Sequence, residues 1–429
     1  MLKRFPPKAA PGELKAHQLK GLRWTVSHAY ANSPFYKARL DEAGIKPSDV
    51  TSLDDLRRLP FTTAEDLRND YPFPLRSVDH QEIVRIHSSS GTTGKRKIIC
   101  YTQKDIEDWK YMFSRCYELA GVTREDRVQI CVGYGLWTAG AGFQLGCEHF
   151  GATAVPIGPG NMDMQCTFLL DLETTVVCST ASMALLLAEE VHKRGFRNRI
   201  KLKKVICGAE RMSSAMMNKI KDLLGIDEVY DIAGLTELYG PGTGLSCSYN
   251  TGIHYWADFY ILEILDQETL QPVNPGEVGE MVFTSLCKEG APLIRYRSRD
   301  LTRLVEGDCP CGCGLPRHDR ILGRSDDMFI IRGVNVYPGQ IDSILSEIPG
   351  IGSEYQVHLD HGSDGKDYMT LKVERAENVH ASAGRDLRTT VMNAIKHKLM
   401  VSCRVEDLDY GGLPRTERKT KRIFDNREY

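Results

Sequence analysis

Apolar residues recur every three or four positions early in the chain and gather into short unbroken runs later. Leu19, Leu22, Val26 and Ala29 keep helical spacing, so residues 14–45 are expected to be helical. Ser33 followed by Pro34 has the form of a cap with proline in the first turn. Farther on, VQICVG (128–133), TAVPIG (153–158), TTVVC (174–178), KVICG (204–208) and EVYDI (228–232) read as buried strands. Between them, SMALLLAEEVHKRG and SSAMMNKIKDLLG read as helices. This alternation predicts an α/β fold around a parallel sheet.

Past residue 250 the texture changes. YILEILD (260–266) and EMVFTSL (280–286) flank PVNPGEVG, which has turn chemistry, and a β subdomain is expected at about 247–322. A last block mixes strands and helices and ends in the basic run RTERKTKR. The polar GRSDD (323–327), between two apolar stretches, is the expected boundary, dividing the chain into 1–325 and 326–429.

At 429 residues, 41% apolar and 26% charged, the chain has the composition and length for a large core and two or three domains. A net charge of −2 supplies no field to attract nucleic acid or acidic membranes. No apolar run reaches bilayer length, and the first residues carry no secretory signal. The thirteen cysteines lie mostly singly in apolar runs, so they are expected to be reduced thiols in a cytoplasm.

The densest chemistry lies in SSSGTTGKRK (88–97). It fails the Walker A pattern, because Gly91 and Gly94 are two residues apart and Arg96 follows Lys95; it also fails G-x-G-x-x-G. Hydroxyls at Ser88, Ser89, Ser90, Thr92 and Thr93, backbone freed by Gly91 and Gly94, and the Lys95 ammonium form an anion cradle or else a solvated loop.

Read together, SSSGTTGKRK, YDIAGLTE (230–237), YRSRD (296–300) and GRSDDMFIIRGVNVYP (323–338) resemble the core motifs of the adenylate-forming superfamily. NSPFY, YGLWTAGAG, PLIRYRSRD, IIRGVNVYP and LPRTERKTKRI resemble its phenylacetate–CoA ligase branch, over nearly the whole chain. The resemblance implies a large N-terminal α/β domain, with mainly parallel sheets flanked by helices plus the β subdomain, and a small mobile C-terminal α+β domain. It implies ATP-dependent conversion of an aromatic acid to acyl-AMP, then transfer to coenzyme A, in a cytoplasmic and commonly dimeric enzyme.

Residue by residue, the resemblance implies that the 88–95 segment grips the β- and γ-phosphates and that Thr236 contacts the α-phosphate. It makes Glu237 a Mg²⁺ ligand, and Asp300 the acceptor of the ribose hydroxyls. Gly208, Ala209 and Glu210 in CGAE, with Asp231, Ala233 and Gly234 in DIAG, are expected around adenine, at strand ends where α/β folds bind ligands. Ala233 departs from the family, whose members commonly have tyrosine beside the base. Lys419 matches the lysine that bridges the acid and the α-phosphate; Arg418 stands where glycine is usual, and Lys421 is its rival. Arg324 is expected to reach the nucleotide, Asp326 to be the hinge, and Arg332 and Gly333 to lie by the pantetheine arm.

Tyr134, Gly135, Trp137 and Gly140, with Gly142 nearby, are expected to form the acyl pocket, the rings as walls and the glycines as room. CPCGCG (309–314) and CSYNTGIH upstream predict a structural Zn²⁺ held by Cys247, His254, Cys309 and Cys311, with Cys313 or His318 as substitutes for one ligand. Two other readings remain open: loading of a carrier-protein thiol, and a zinc-stabilised binding protein without catalysis.

Overall fold

Ser33 caps the second of two N-terminal helices, Pro11–Asn32 and Pro34–Glu42, its hydroxyl accepting from the Tyr36 N–H. The computed structural model describes residues 11–69, 71–89, 95–210, 212, 214–331, 334–362, 366–414 and 422–427. Leu22, Val26 and Ala29 are buried as their spacing requires. Thr25 donates to the Ser285 carbonyl at 2.7 Å, fixing the first helix on a β-sheet far away in sequence.

Five parallel strands form one side of a nine-stranded sheet: Thr153–Val155 at the edge, then Arg127–Ile130, Val176–Thr180, Lys204–Gly208 and Glu228–Leu235. Alternate residues face opposite ways along each strand. Val176 and Cys178 join one apolar cluster and Val177 the other; Ile206 joins the first, Val205 and Cys207 the second. Helices Gln103–Leu119 and Thr138–Phe150 cover one face, and Ala181–Lys193 and Ser214–Leu224 the other. A sheet buried on both faces explains why its strands read as unbroken apolar runs. TAVPIG is the exception: only Thr153–Val155 is strand, and as an edge it stays partly exposed.

The expected β unit at 247–322 divides between two sheets. Strand Glu228–Leu235 turns straight back into Gly240–Ser246, so the nine-stranded sheet continues antiparallel through Ile253–Tyr255, Arg317–His318 and Leu304–Val305. The reversal is tight. A Cβ on Gly234 would lie 2.2 Å from the Pro241 Cα, so only glycine fits there. A separate four-stranded antiparallel sheet comprises Tyr260–Leu265, Gly279–Ser285, Tyr296–Thr302 and Gly323–Arg324.

After residue 328 the chain builds a third apolar cluster. Strands Ile351–His361 and Asp367–Arg375 pair antiparallel and are flanked by parallel Ile423–Asp425 and Arg404–Leu408. Helices Pro338–Ser346 and Gly384–Leu399 pack into the same cluster through Ile341, Ile344, Val391 and Ile395.

Ile206 is fully buried between the central strands, whereas Ile330 is 49% exposed. Ile206→Ala should destabilise the fold by about 2–5 kcal/mol and Ile330→Ala by less than about 0.5 kcal/mol, read from urea midpoints.

Candidate active site and metal centre

Strands Lys204–Gly208 and Glu228–Leu235 end side by side, with Cys207 opposite Asp231 and Gly208 opposite Ile232. Their C-terminal ends form the rim at which open α/β sheets bind ligands. CGAE and DIAG therefore meet in space. Ala209 has a positive φ of 67°, and the Glu210 carboxylate accepts from the Ser182 N–H at 3.0 Å, at the start of helix Ala181–Lys193. Glu210 thus serves that helix end. Burial pushes the Asp231 carboxyl up to about 6, with Arg320 opposing.

The turn after the second strand carries Thr236 and Glu237. The Tyr101 hydroxyl lies 3.1 Å from the Thr236 carbonyl and 3.2 Å from that of Tyr239, holding both ends of the turn. Beneath it, the fully buried Lys288 ammonium sits 3.8 Å from the centre of the Tyr101 ring and 4.5 Å from that of Tyr239. Glu237 is itself buried. Burial works against its charge, yet the Lys97 ammonium paired with it and the Tyr296 hydroxyl 3.0 Å away outweigh that and hold its carboxyl below the ordinary range.

Strand Arg85–Ser88 leads into the glycine-and-hydroxyl segment. The Ser88 and Ser89 hydroxyls and His87 Nε2 are buried with no hydrogen-bond partner among the described residues. Burial pushes the His87 imidazole down to about 4, so it is neutral near pH 7. Three orphaned polar atoms in succession mark a place that a polar ligand would complete. Residues 90–94, and with them Ser90, Gly91, Thr92, Thr93 and Gly94, lie outside the described residues, as do Arg332, Gly333, Arg418, Lys419 and Lys421.

The Leu136 carbonyl accepts from the Ser88 N–H at 2.8 Å and lies 3.1 Å from His87 Nδ1, which pins the aromatic loop 134–137 beside that segment. Gly135 takes a positive φ of 86° there, and Trp137 caps helix Thr138–Phe150. Gly135 has open space beside it, but Gly140 and Gly142 do not leave room for a ligand as expected. A Cβ on Gly140 would fall 2.7 Å from the Tyr134 ring, and one on Gly142 2.6 Å from Trp109 and Phe113. The protein's own rings fill that space, and Tyr134, 38% exposed, presents the open face.

Asp300, Arg324 and Asp326 form a chain. Arg324 donates to Asp300 at 3.2 Å and grips Asp326 with two hydrogen bonds of 2.8 and 2.9 Å. The expected ribose acceptor and the expected hinge thus share one guanidinium.

Cys247, His254, Cys309 and Cys311 converge, with one ligand atom from each lying within 4.8 Å of the others. The Thr251 hydroxyl lies 3.2 Å from the Cys309 sulfur, and His254 Nδ1 lies 3.1 Å from the Leu315 carbonyl, leaving Nε2 for the group. Three soft sulfurs and one imidazole suit a tetrahedral cation. Of the substitutes, His318 turns Nδ1 to the Asp319 carbonyl at 2.6 Å, and Cys313 donates its N–H to the Cys311 sulfur at 3.4 Å.

Residues 19–287 match the family model of the AMP-binding enzymes, and residues 333–427 that of the AMP-binding enzyme C-terminal domain. The chain is 38% identical to the phenylacetate–coenzyme A ligase of Escherichia coli (strain K12), over 98% of this chain and 96% of that one. It is 39% identical to the ligase of the same name from Pseudomonas putida, over 98% and 95%. The chain belongs to the phenylacetate–coenzyme A ligase family. It is an AMP-forming acid–CoA ligase.

Within this ligase the overall arrangement matches one solved state. A 2-hydroxyisobutyryl-CoA ligase in the postadenylation state with 2-HIB-AMP superposes with a TM-score of 0.90, at 28% identity, over 97% of this chain and 90% of that one. The same ligase in the thioesterification state gives 0.72, over 98% and 91%. Lys219 lies 5.7 Å from the Tyr410 ring in this arrangement, joining helix Ser214–Leu224 to the C-terminal region. No described helix is long and apolar enough to cross a membrane.

Lys97 and Tyr296 meet Glu237, and His87 adjoins Ser88; all three escaped the sequence reading. Lys95, the expected cation, is exposed and lies 5.3 Å from the Tyr71 ring, while Lys97 points inward to Glu237. Nothing in a run of three basic residues says which one the fold turns inward.

A carboxyl raised in the folded state favours folding while protonated; that contribution is complete below about pH 4 and is lost as pH rises through about 6. Asp231→Asn should therefore raise the melting temperature at pH 8 and leave it unchanged at pH 4, read by calorimetry.

Proposed function

We propose that the acid this ligase activates is phenylacetate or a close aryl analogue, and that free coenzyme A accepts the acyl group. One observation carries the reading: the Leu136 carbonyl ties the aromatic loop of Tyr134 and Trp137 to the strand that ends in Ser88 and its orphaned hydroxyls. An aryl acid lying on Tyr134 has its carboxylate beside the phosphate segment. The similarity to phenylacetate–coenzyme A ligases over nearly full length supports the same acid class.

In the first half-reaction a carboxylate oxygen attacks the α-phosphorus of ATP, and pyrophosphate leaves. Ser88, Ser89 and the segment through Lys95 hold the departing phosphates, and Thr236 steadies the α-phosphate. Lys419 bridges the two reacting anions, whose repulsion otherwise opposes the approach. Asp300 accepts from the ribose hydroxyls, and Asp231 from the adenine amino group. Glu237 is the carboxylate that would hold Mg²⁺, which supplies charge neutralisation of the phosphates when bound. In the second half-reaction the coenzyme A sulfur attacks the acyl carbon and AMP leaves. Torsion at Asp326 swings residues 326–429 between the two, and Gly333 gives the pantetheine arm a close approach. Zn²⁺ held by Cys247, His254, Cys309 and Cys311 would be structural, tying together two loops distant in sequence. A cytoplasmic homodimer completes the reading.

A panel of acids assayed by AMP release with coenzyme A present tests the substrate. Phenylacetate should exceed a short branched hydroxy acid by at least about tenfold in kcat/KM, an ordinary margin for a shaped apolar pocket; the reverse order overturns the aryl reading. Lys419→Ala should slow adenylation by about 10²–10³-fold and spare thioester formation from supplied acyl-AMP. Metal analysis should find about one zinc per chain, lost together with several degrees of melting temperature in Cys311→Ser.

A further inference from the structure

The buried Glu237 carboxylate already has a full counter-charge, the Lys97 ammonium, in a pair whose lysine side chain is only 15% exposed. Lys97 is anchored at the neck of the glycine-and-hydroxyl segment, where its carbonyl accepts from the Ser89 N–H at 3.1 Å. The Tyr296 hydroxyl meets the same Glu237 oxygen, Oε1, at 3.0 Å. That oxygen is therefore fully engaged. An ammonium and a hard divalent cation both seek such an oxygen, and as like charges in a buried site they exclude each other.

We propose that Lys97 is the resident counter-ion of Glu237 in the nucleotide-free enzyme, and that it yields the carboxylate to Mg²⁺ only as ATP arrives, its ammonium passing to the nucleotide's phosphates. The proposal rests on the reading of Glu237 as the Mg²⁺ ligand. A buried carboxylate does not stay charged without a partner, so neither cation leaves before the other can replace it. ATP makes the exchange possible because its phosphates, held at the neck where Lys97 is anchored, give the displaced ammonium a new anion. Metal binding at Glu237 is thereby conditional on nucleotide. Lys95, turned outward to Tyr71, does not compete for this role.

The test uses Mn²⁺ as a probe and the electron paramagnetic resonance signal of the free ion, with the full-length protein and no nucleotide. Wild type, Lys97→Arg and Glu237→Gln should bind Mn²⁺ equally weakly. Lys97→Met should gain a site at least about tenfold tighter, which adding Glu237→Gln abolishes. Mn²⁺ binding by the nucleotide-free wild type that Glu237→Gln weakens tenfold overturns the proposal, as does a folded Lys97→Met protein that gains no site. Should Lys97→Met fail to fold, the comparison of wild type with Glu237→Gln decides alone. A second arm measures ATP retained on ultrafiltration with Mn²⁺. Equal retention by wild type and Glu237→Gln means that the reading of Glu237 itself fails, a result separate from any in the nucleotide-free arm.

Discussion

Glu237 must stay charged although the fold buries it, and the site is assembled around that constraint. Removing one partner from such a buried pair typically costs about 3–5 kcal/mol, because the remaining charge is left without solvent or counter-ion. The fold meets the constraint with the Lys97 ammonium and the Tyr296 hydroxyl. It then fixes the turn itself, through the Tyr101 hydroxyl on the carbonyls of Thr236 and Tyr239 and the Lys288 ammonium packed between the two tyrosine rings. These side chains come from four separate stretches of the chain, so the buried carboxylate meets its partners only in the assembled fold.

The same economy appears at the segment expected to divide the chain, residues 323–327. Arg324 spans Asp300 and Asp326, so the group expected to meet the ribose and the group expected to turn are joined through one guanidinium. A bidentate grip fixes orientation as well as distance. It accompanies an overall arrangement that superposes on the postadenylation state of a related ligase far better than on its thioesterification state. The expected ribose acceptor and the expected hinge are therefore held by the same few side chains.

Much of this was legible in the chain itself. Ser33–Pro34, the runs at 128–133, 174–178, 204–208 and 228–232, and the helices between them correspond to elements of the fold, because each reports a local rule: capping, or burial on both faces of a parallel sheet. The four candidate ligands Cys247, His254, Cys309 and Cys311 were legible from residue type and spacing, and they do converge. The division of 247–322 between two sheets was not. It depends on a reversal at Gly234, made possible by missing Cβ atoms and by the backbone of Pro241 packing against it. The acyl-pocket glycines misled for a related reason: a small residue signals that something comes close, without saying whether that neighbour is a ligand or, as at Gly140 and Gly142, an aromatic ring of the protein.

By itself, then, the sequence determined the α/β alternation, the family and the chemical types gathered at each motif, since these follow from local periodicity and from residues adjacent in the chain. Tertiary structure alone decided that Lys97 and not Lys95 faces Glu237, that the Leu136 carbonyl joins the aromatic loop to Ser88, and that Arg324 links Asp300 to Asp326. Each of those outcomes depends on which way a side chain or carbonyl points once distant segments pack, and that direction is set by burial and by competition for partners that no local pattern contains.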